Sequence, residues 1–233
     1  MNEPLTFPGE ALNQAGLNRQ HVFNLSDLPT TLTEPLGEIG KFTQLILLGH
    51  GGRKLWDCVQ ASGTTGADPI DDYVRQTVAR FFIETFPTTA YQMVYPGNTP
   101  LGLQQLGKLA GWHNTSPFMV GIDSEWGSWF AYRAVILANS AFLPFSPVHR
   151  STPCPDCVAR PCITACPASA LSGPSFALDK CIAYRRLPDS ACRSTCLART
   201  TCPVGSEHHY SDAQLHHTYS ISLRMIEQYY PAT

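Results

Sequence analysis

Eight of the nine cysteines of this 233-residue chain fall within residues 153–203. They are Cys154, Cys157, Cys162, Cys166, Cys181, Cys192, Cys196 and Cys202, and Cys58 alone lies elsewhere. Packing gives no reason for such crowding. Cysteines placed this way are metal ligands, disulfides or catalytic thiols, and their spacing chooses among these uses.

The first four read C-x2-C-x4-C-x3-C-P. That is close to the bacterial ferredoxin run, C-x2-C-x2-C-x3-C-P. The second four read C-x10-C-x3-C-x5-C-P, a stretched copy that again ends in Cys-Pro. In two-cluster ferredoxins the cysteine before the proline ligates the other cluster. The expected assignment is therefore crosswise. Cys154, Cys157, Cys162 and Cys202 form the first [4Fe–4S] ligand set, and Cys166, Cys181, Cys192 and Cys196 form the second. Zinc also accepts four thiolates but usually draws on two separated C-x2-C pairs. One such pair is present and each set of four ends in Cys-Pro, so the spacing favours iron–sulfur over zinc. Disulfides are the third alternative, and they are rare in a reducing compartment.

Thiolate-bound cubes carry added negative charge. Arg160, Arg185, Arg186, Arg193 and Arg199 lie among the ligands and either offset it or are ordinary surface arginines. His208, His209, His216 and His217 follow the last cysteine and read as a solvated surface.

Composition narrows the setting. A hydrophobic content of 43% with 15% charged residues belongs to a globular chain, long enough for one large or two small domains. Net charge is −2 with no basic run, so no nucleic-acid partner is expected. The longest apolar run, near residues 45–48, falls far short of a membrane span. The N-terminus lacks a basic region followed by an apolar core, so a cytoplasmic location is expected.

Ahead of the cysteines the chain alternates short apolar runs with helical patterns. Residues 1–40 read as an irregular arm rich in proline. Residues 43–50 read as a buried strand closed by Gly49, Gly51 and Gly52. This is not a dinucleotide-binding turn, because Lys54 stands where the third glycine belongs. Residues 54–61 suit a helix in which Cys58 is a small buried side chain. Asp68 and Pro69 signal a helix start, and Ile70, Val74, Val78, Phe81 and Phe82 give it an apolar face. A strand is expected over 90–95, a helix over 101–110, and a strand pair over 118–122 and 129–138. Ser211 and Gln214 open a last helix with a stripe of Leu215, Tyr219, Leu223, Ile226 and Tyr230. The expected organisation is an N-terminal arm (1–40), an α/β core (41–150), an iron–sulfur domain (151–205) and a C-terminal helix docking on the core (206–233). The fold class is α+β.

Six stretches carry a resemblance. Residues 100–112, residues 122–136 and residues 179–184, taken with the Cys-Pro run, resemble epoxyqueuosine reductase. Residues 68–71, 127–133 and 209–214 are more similar to the cobalamin C type of B12-processing protein. The resemblance implies a nitroreductase-like α/β sandwich followed by a ferredoxin-like two-cluster domain. It further implies a corrinoid, less readily FMN, and electrons passing from an external donor (a ferredoxin, flavodoxin or reductase) through the clusters to cobalt. Cofactor contacts then fall on Tyr95, Asn98, Thr99, Trp112, Trp126, Trp129, Tyr132 and Arg133. One departure stands out. The position matching the family's proton-donating aspartate is Gly97, with Asn98 beside it, and neither is a general acid. The resemblance therefore implies a cobalamin-dependent iron–sulfur oxidoreductase more directly than it implies a tRNA substrate. A ferredoxin-like electron carrier that binds no corrinoid is the alternative.

Overall fold

The computed structural model of the chain describes residues 5–147 and 151–230. The expectations for residues 1–4, 148–150 and 231–233 lie outside the described residues. The chain divides into two compact units. The first comprises Met1–His113 and Phe130–His149, and the second Asn114–Trp129 and Arg150–Thr233.

The first unit is built on four antiparallel strands, β1 (Arg19–Asn24), β2 (Gln44–Gly51), β3 (Tyr91–Tyr95) and β4 (Phe130–Ala138), in the order β1-β2-β4-β3. Antiparallel pairing makes the class α+β. Every residue of β2 is buried, which explains why it reads as a continuous apolar run. Ile46 and Leu48, with Ala134, Ile136 and Ala138 of β4, turn to the main core. Leu45, Leu47, Val135 and Leu137, alternating with them, are buried as well.

Helices α1 (Glu10–Gln14), α2 (Thr30–Thr33), α3 (Lys54–Ser62), α4 (Pro69–Thr85) and α5 (Leu103–Leu109) complete this unit. The Asp68 carboxylate accepts from the Asp71 amide at 3.2 Å and caps α4, with Pro69 at its first position. The apolar face of α4 buries Ile70, Val74, Val78, Phe81 and Phe82 against Trp56, Val59 and the sheet. Burying each of these phenylalanines stabilises the fold by about 1.5–3 kcal/mol. Phe82 also stacks on Tyr91 with ring centres 4.1 Å apart. Cys58 on α3 is half-buried and not a core residue, and its thiol donates to the Gln14 carbonyl at 3.6 Å.

The second unit has no named strand among its described residues. It carries α6 (Pro161–Thr164), α7 (Leu178–Arg186), α8 (Leu197–Thr200) and α9 (Asp212–Tyr229). Ser211 Oγ accepts from the Gln214 amide at 3.2 Å and caps α9 as the capping box requires.

Four expectations are corrected. Residues 1–40 are not an irregular arm, since they supply α1, α2 and β1, an edge of the sheet. Only His21 and Val22 of β1 are buried, so the strand carries almost no apolar alternation to read. The expected pair over 118–122 and 129–138 reduces to β4 alone. Met119 has a φ of 62°, a left-handed conformation that no strand accommodates, and residues 114–127 form isolated bridges (Asn114 with Ile122, Asp123 with Gly127). Those residues belong to the second unit and not to the core, so the boundary at 150 does not hold as drawn. The last correction concerns α9, which groups with the cysteine-bearing unit. Arg185 of α7 donates to the Tyr219 carbonyl (2.9 Å) and the Ser222 hydroxyl (3.0 Å), and Arg186 to the Ile226 carbonyl (3.2 Å).

Within the second unit the 114–129 segment is held at close range. Gly127 and Gly205 both have positive φ, at 57° and 64°. A Cβ on Gly127 would run into the Val204 carbonyl oxygen, and one on Gly205 into the Gly127 amide nitrogen. Only glycine on both sides lets the segment lie against the turn that follows Cys202.

Candidate functional site

The eight clustered cysteines sit on short helices and turns. Cys154 and Cys157 share a tight turn, with the Cys157 amide donating to the Cys154 carbonyl at 3.2 Å. Cys162 lies in α6, whose start is set by Pro161 after Arg160 at φ 40°. Cys166 follows the end of that helix. Cys181 lies in α7, and the Ser190 hydroxyl accepts from the Cys192 amide at 3.1 Å. Cys196 is the residue before α8, and Cys202 follows its last turn. All are free thiols, with Cys162, Cys192 and Cys202 buried and the rest half-buried.

Their electrostatics separate them into two groups. Burial pushes the Cys154 thiol up, and Cys202, Cys162 and Cys157 push it further. Burial likewise raises Cys162, aided by Cys202 and Cys157, and raises Cys202, aided by Cys157. Cys181 is pushed up to about 11 by burial, with Cys196, Cys166 and Cys192 adding and Arg185 opposing. Burial also raises Cys192, with Cys196 and Cys166 adding and Arg185 again opposing. Among the largest causes of these shifts, each thiol appears only with thiols of its own group. The groups are Cys154, Cys157, Cys162, Cys202 and Cys166, Cys181, Cys192, Cys196.

The first group lines a cavity of about 780 Å³, with an apolar wall that includes Phe118, Ile122, Leu171 and Phe176 and with Arg160 in its lining. None of the second group lines it. Among the described residues, no three His, Cys, Asp or Glu side chains converge as closely as ligands on a single ion.

Two of the five arginines among these cysteines are buried, Arg185 and Arg199. The Arg199 guanidinium lies 4.5 Å from the Trp129 ring centre and 4.9 Å from that of Tyr210, and it donates to the Ser128 hydroxyl (3.2 Å) and carbonyl. His208 and His209 are not purely solvated. They pack on Trp126 and Trp129 with ring centres 4.3 and 4.2 Å apart.

The cofactor contacts expected from the sequence are divided between the units. In the first, Tyr95 ends β3 and is joined to Pro96 by a cis peptide, while Asn98 and Thr99 lie in the loop that follows. Trp112 and Tyr132 stack with planes 8° apart, and Arg19 covers Trp112 at 4.7 Å. The Tyr132 hydroxyl and His113 Nδ1 are 2.9 Å apart. Arg133 sits at the point where the β2–β4 register shifts, a bulge that re-aims its side chain, and its Nε donates to His50 Nδ1 at 3.0 Å. In the second unit Trp126 is half-buried, whereas Trp129 is fully buried. A ring with no exposed surface has none to offer a ligand, so Trp129 is a packing residue.

The sequence did not single out His50, and it placed Asp71 only within the 68–71 stretch. Burial raises the Asp71 carboxyl, with Asp68 adding and Arg133 opposing, and burial raises Tyr95 with Arg133 opposing. His50, Asp71, Tyr95 and Arg133 thus form a polar group around the bulge. His50 lies in the Leu48–Gly52 run, whose glycines drew the attention instead. At Gly97 a Cβ would stand 2.9 Å from the Val94 carbonyl oxygen, so this loop leaves no ready place for an acidic side chain.

The architecture is thus that of an α+β core joined to a helical unit carrying two quartets of thiols. No family model matches the chain, and no curated protein matches it. Solved structures do. Epoxyqueuosine reductase from Bacillus subtilis superposes with a TM-score of 0.53 at 13% identity, over 87% of this chain and 66% of its own. An epoxyqueuosine reductase solved with an epoxyqueuosine-modified tRNA stem loop does so at 0.54 and 16%, over the same shares. A B12-trafficking protein from C. elegans gives a TM-score of 0.46 at 12% identity, too low to bear on the fold. The chain has the fold of the epoxyqueuosine reductases, matched over somewhat less than two thirds of their length.

Proposed function

We propose that this is an iron–sulfur redox protein with two [4Fe–4S] clusters that passes electrons to a bound corrinoid. Cys154, Cys157, Cys162 and Cys202 hold the first cluster, and Cys166, Cys181, Cys192 and Cys196 the second, within a ferredoxin-like domain. The observation that carries the reading is the division of eight thiols into two quartets, the same crosswise sets that the Cys-Pro spacing gives. The donor chemistry fits. A zinc ion draws four sulfurs to within about 2.3 Å of one point. A cube instead takes one thiolate at each of four corners, and eight cysteines supply two such sets. Crowded, buried thiols resist ionising alone, so a cationic iron core is what stabilises them as thiolates. Bound clusters supply one-electron transfer.

The chain's own residues divide the remaining work. In the first unit, Tyr95, Asn98, Thr99, Trp112, Tyr132 and Arg133 would contact the corrinoid. The electrons come from an external donor in a reducing compartment, the cytoplasm, where free thiols persist. The absence of an acid at Gly97 supports a reading in which cobalt is the acceptor and no proton is delivered from that loop.

Anaerobic reconstitution with iron and sulfide, followed by addition of cobalamin, tests this. Uptake of about eight irons per chain, four for each Cys₄ cube, and a change in the corrinoid spectrum are expected. Iron uptake with no corrinoid or FMN binding makes the chain a ferredoxin-like carrier instead. Zinc as the sole metal after anaerobic purification overturns both readings.

A further inference from the structure

Arg185 and Arg199 are 6% and 5% exposed. A cation buried without an opposite charge costs several kcal/mol. Among the described residues neither guanidinium has a carboxylate within ion-pair distance, so each must be stabilised by something else. For Arg199 the faces of Trp129 and Tyr210 and the oxygens of Ser128 supply it.

Arg185 has no such sandwich. One ring, Tyr219, lies near it, at 5.4 Å. Its donors end on the carbonyls of Cys192 (3.1 Å), Arg193 (3.4 Å) and Tyr219 (2.9 Å) and on the Ser222 hydroxyl (3.0 Å). These bonds satisfy its hydrogens and leave its charge unmatched. They also aim it. Arg185 lies four residues after Cys181 on α7, so the two side chains share a helix face. The carbonyls of Cys192 and Arg193 belong to the turn that bears Cys192. The guanidinium is therefore fixed between two members of the second quartet. The first quartet has no buried counterpart, since Arg160 in its cavity is exposed and screened by solvent.

We infer, on the basis of the two-cluster reading above, that Arg185 is the counter-cation of the second cluster and holds its reduction potential up. Adding one electron to a cube adds one negative charge. A fixed cation beside it stabilises that reduced form more than the oxidised one. Removing the cation lowers the potential of this cluster and leaves the other where it was.

Arg185→Gln and Arg185→Lys in the full, anaerobically reconstituted chain decide the matter, with potentiometric titration followed by electron paramagnetic resonance. In Arg185→Gln one of two midpoint potentials is expected to fall while the other stays. Arg185→Lys keeps the charge and loses the fork, so both potentials stay near those of the unaltered protein. A role confined to bracing the carbonyls moves both variants alike. Equal shifts in the two, or no shift in Arg185→Gln, overturn the inference. Should Arg185→Gln fail to hold iron, the lysine variant settles the question. Full iron with unchanged potentials supports the inference, and the same iron loss overturns it. Arg224→Gln, an exposed site on α9, serves as control, and an equal fall there also overturns it. Failure of the two-cluster reading shows separately, as unaltered protein that takes up well under eight irons.

Discussion

In the sheet unit, buried side chains from strands and helices join in one continuous core running from Phe7 through Ile46, Val74 and Phe82 to Phe142. In the cysteine-bearing unit the buried residues fall into small separate groups. One is Phe118, Cys162, Leu171 and Ala198, with Cys166 and Cys196 against it, and another is Trp129, Tyr210 and Leu215. Helices α6 and α8, which flank or bear four of the cysteines, are four residues long. A helix of one turn has little stability of its own. The first unit is of the kind that burial alone holds together. The second resembles small domains whose scant core is supplemented by metal.

If the second unit holds the proposed clusters, the largest effect that separates the units is iron removal. Chelation under anaerobic conditions should release the amides of α6, α7 and α8 to rapid hydrogen exchange while β2 and β4 stay protected. Simultaneous release of both regions, read by mass spectrometry, breaks the comparison. Next in size is Phe82→Ala, expected to cost about 3–5 kcal/mol through the cavity left beside Tyr91. The denaturation midpoint should fall with bound iron unchanged, and iron loss before unfolding would show that the second unit leans on the core.

Smallest is an acid effect confined to the sheet unit. Burial among Phe23, Trp112 and Phe145 lowers the His21 pKa to about 4 from an ordinary 6.5. Above pH 6.5 neither the folded nor the unfolded chain protonates this ring, and its contribution is intact. As pH falls from 6.5 towards 4 the unfolded state takes up the proton first, so stability is lost across that window. His21→Phe should flatten this part of the pH profile in thermal unfolding. An unchanged slope assigns the acid sensitivity to other groups.

The sequence and the structure agree best where one physical signal dominates. The continuous apolar run of β2, the cap and stripe of α4 and the capping box of α9 each follow from local chemistry alone. The expected crosswise grouping of the cysteines rests on the Cys-Pro that closes each set of four. What escaped depends on distant partners. The strand β1 is legible only as a neighbour of β2, since its own residues alternate weakly. The loop at 118–122 has strand-like composition, yet Ser116 and Met119 turn it, with the Ser116 hydroxyl donating to the Val120 carbonyl at 2.6 Å. His50 and Asp71 acquire their company from a register shift between two strands, which no window of sequence contains. Trp129 had the composition of a ligand contact but is walled in by Arg199, His209 and Tyr210.

The excursion of residues 114–129, leaving one unit and returning to it, has a consequence for how such a protein can be taken apart or inherited. A cysteine-rich tail added after a finished core could be cut away at a single point. Here a chain ending at residue 149 would keep the excursion and lose its seat, stranding Trp129 and the Gly127 that fits against Gly205. The two units therefore cannot be exchanged as beads on a string. Separating them takes three cuts in the chain, after residues 113, 129 and 149, where an appended tail would need one.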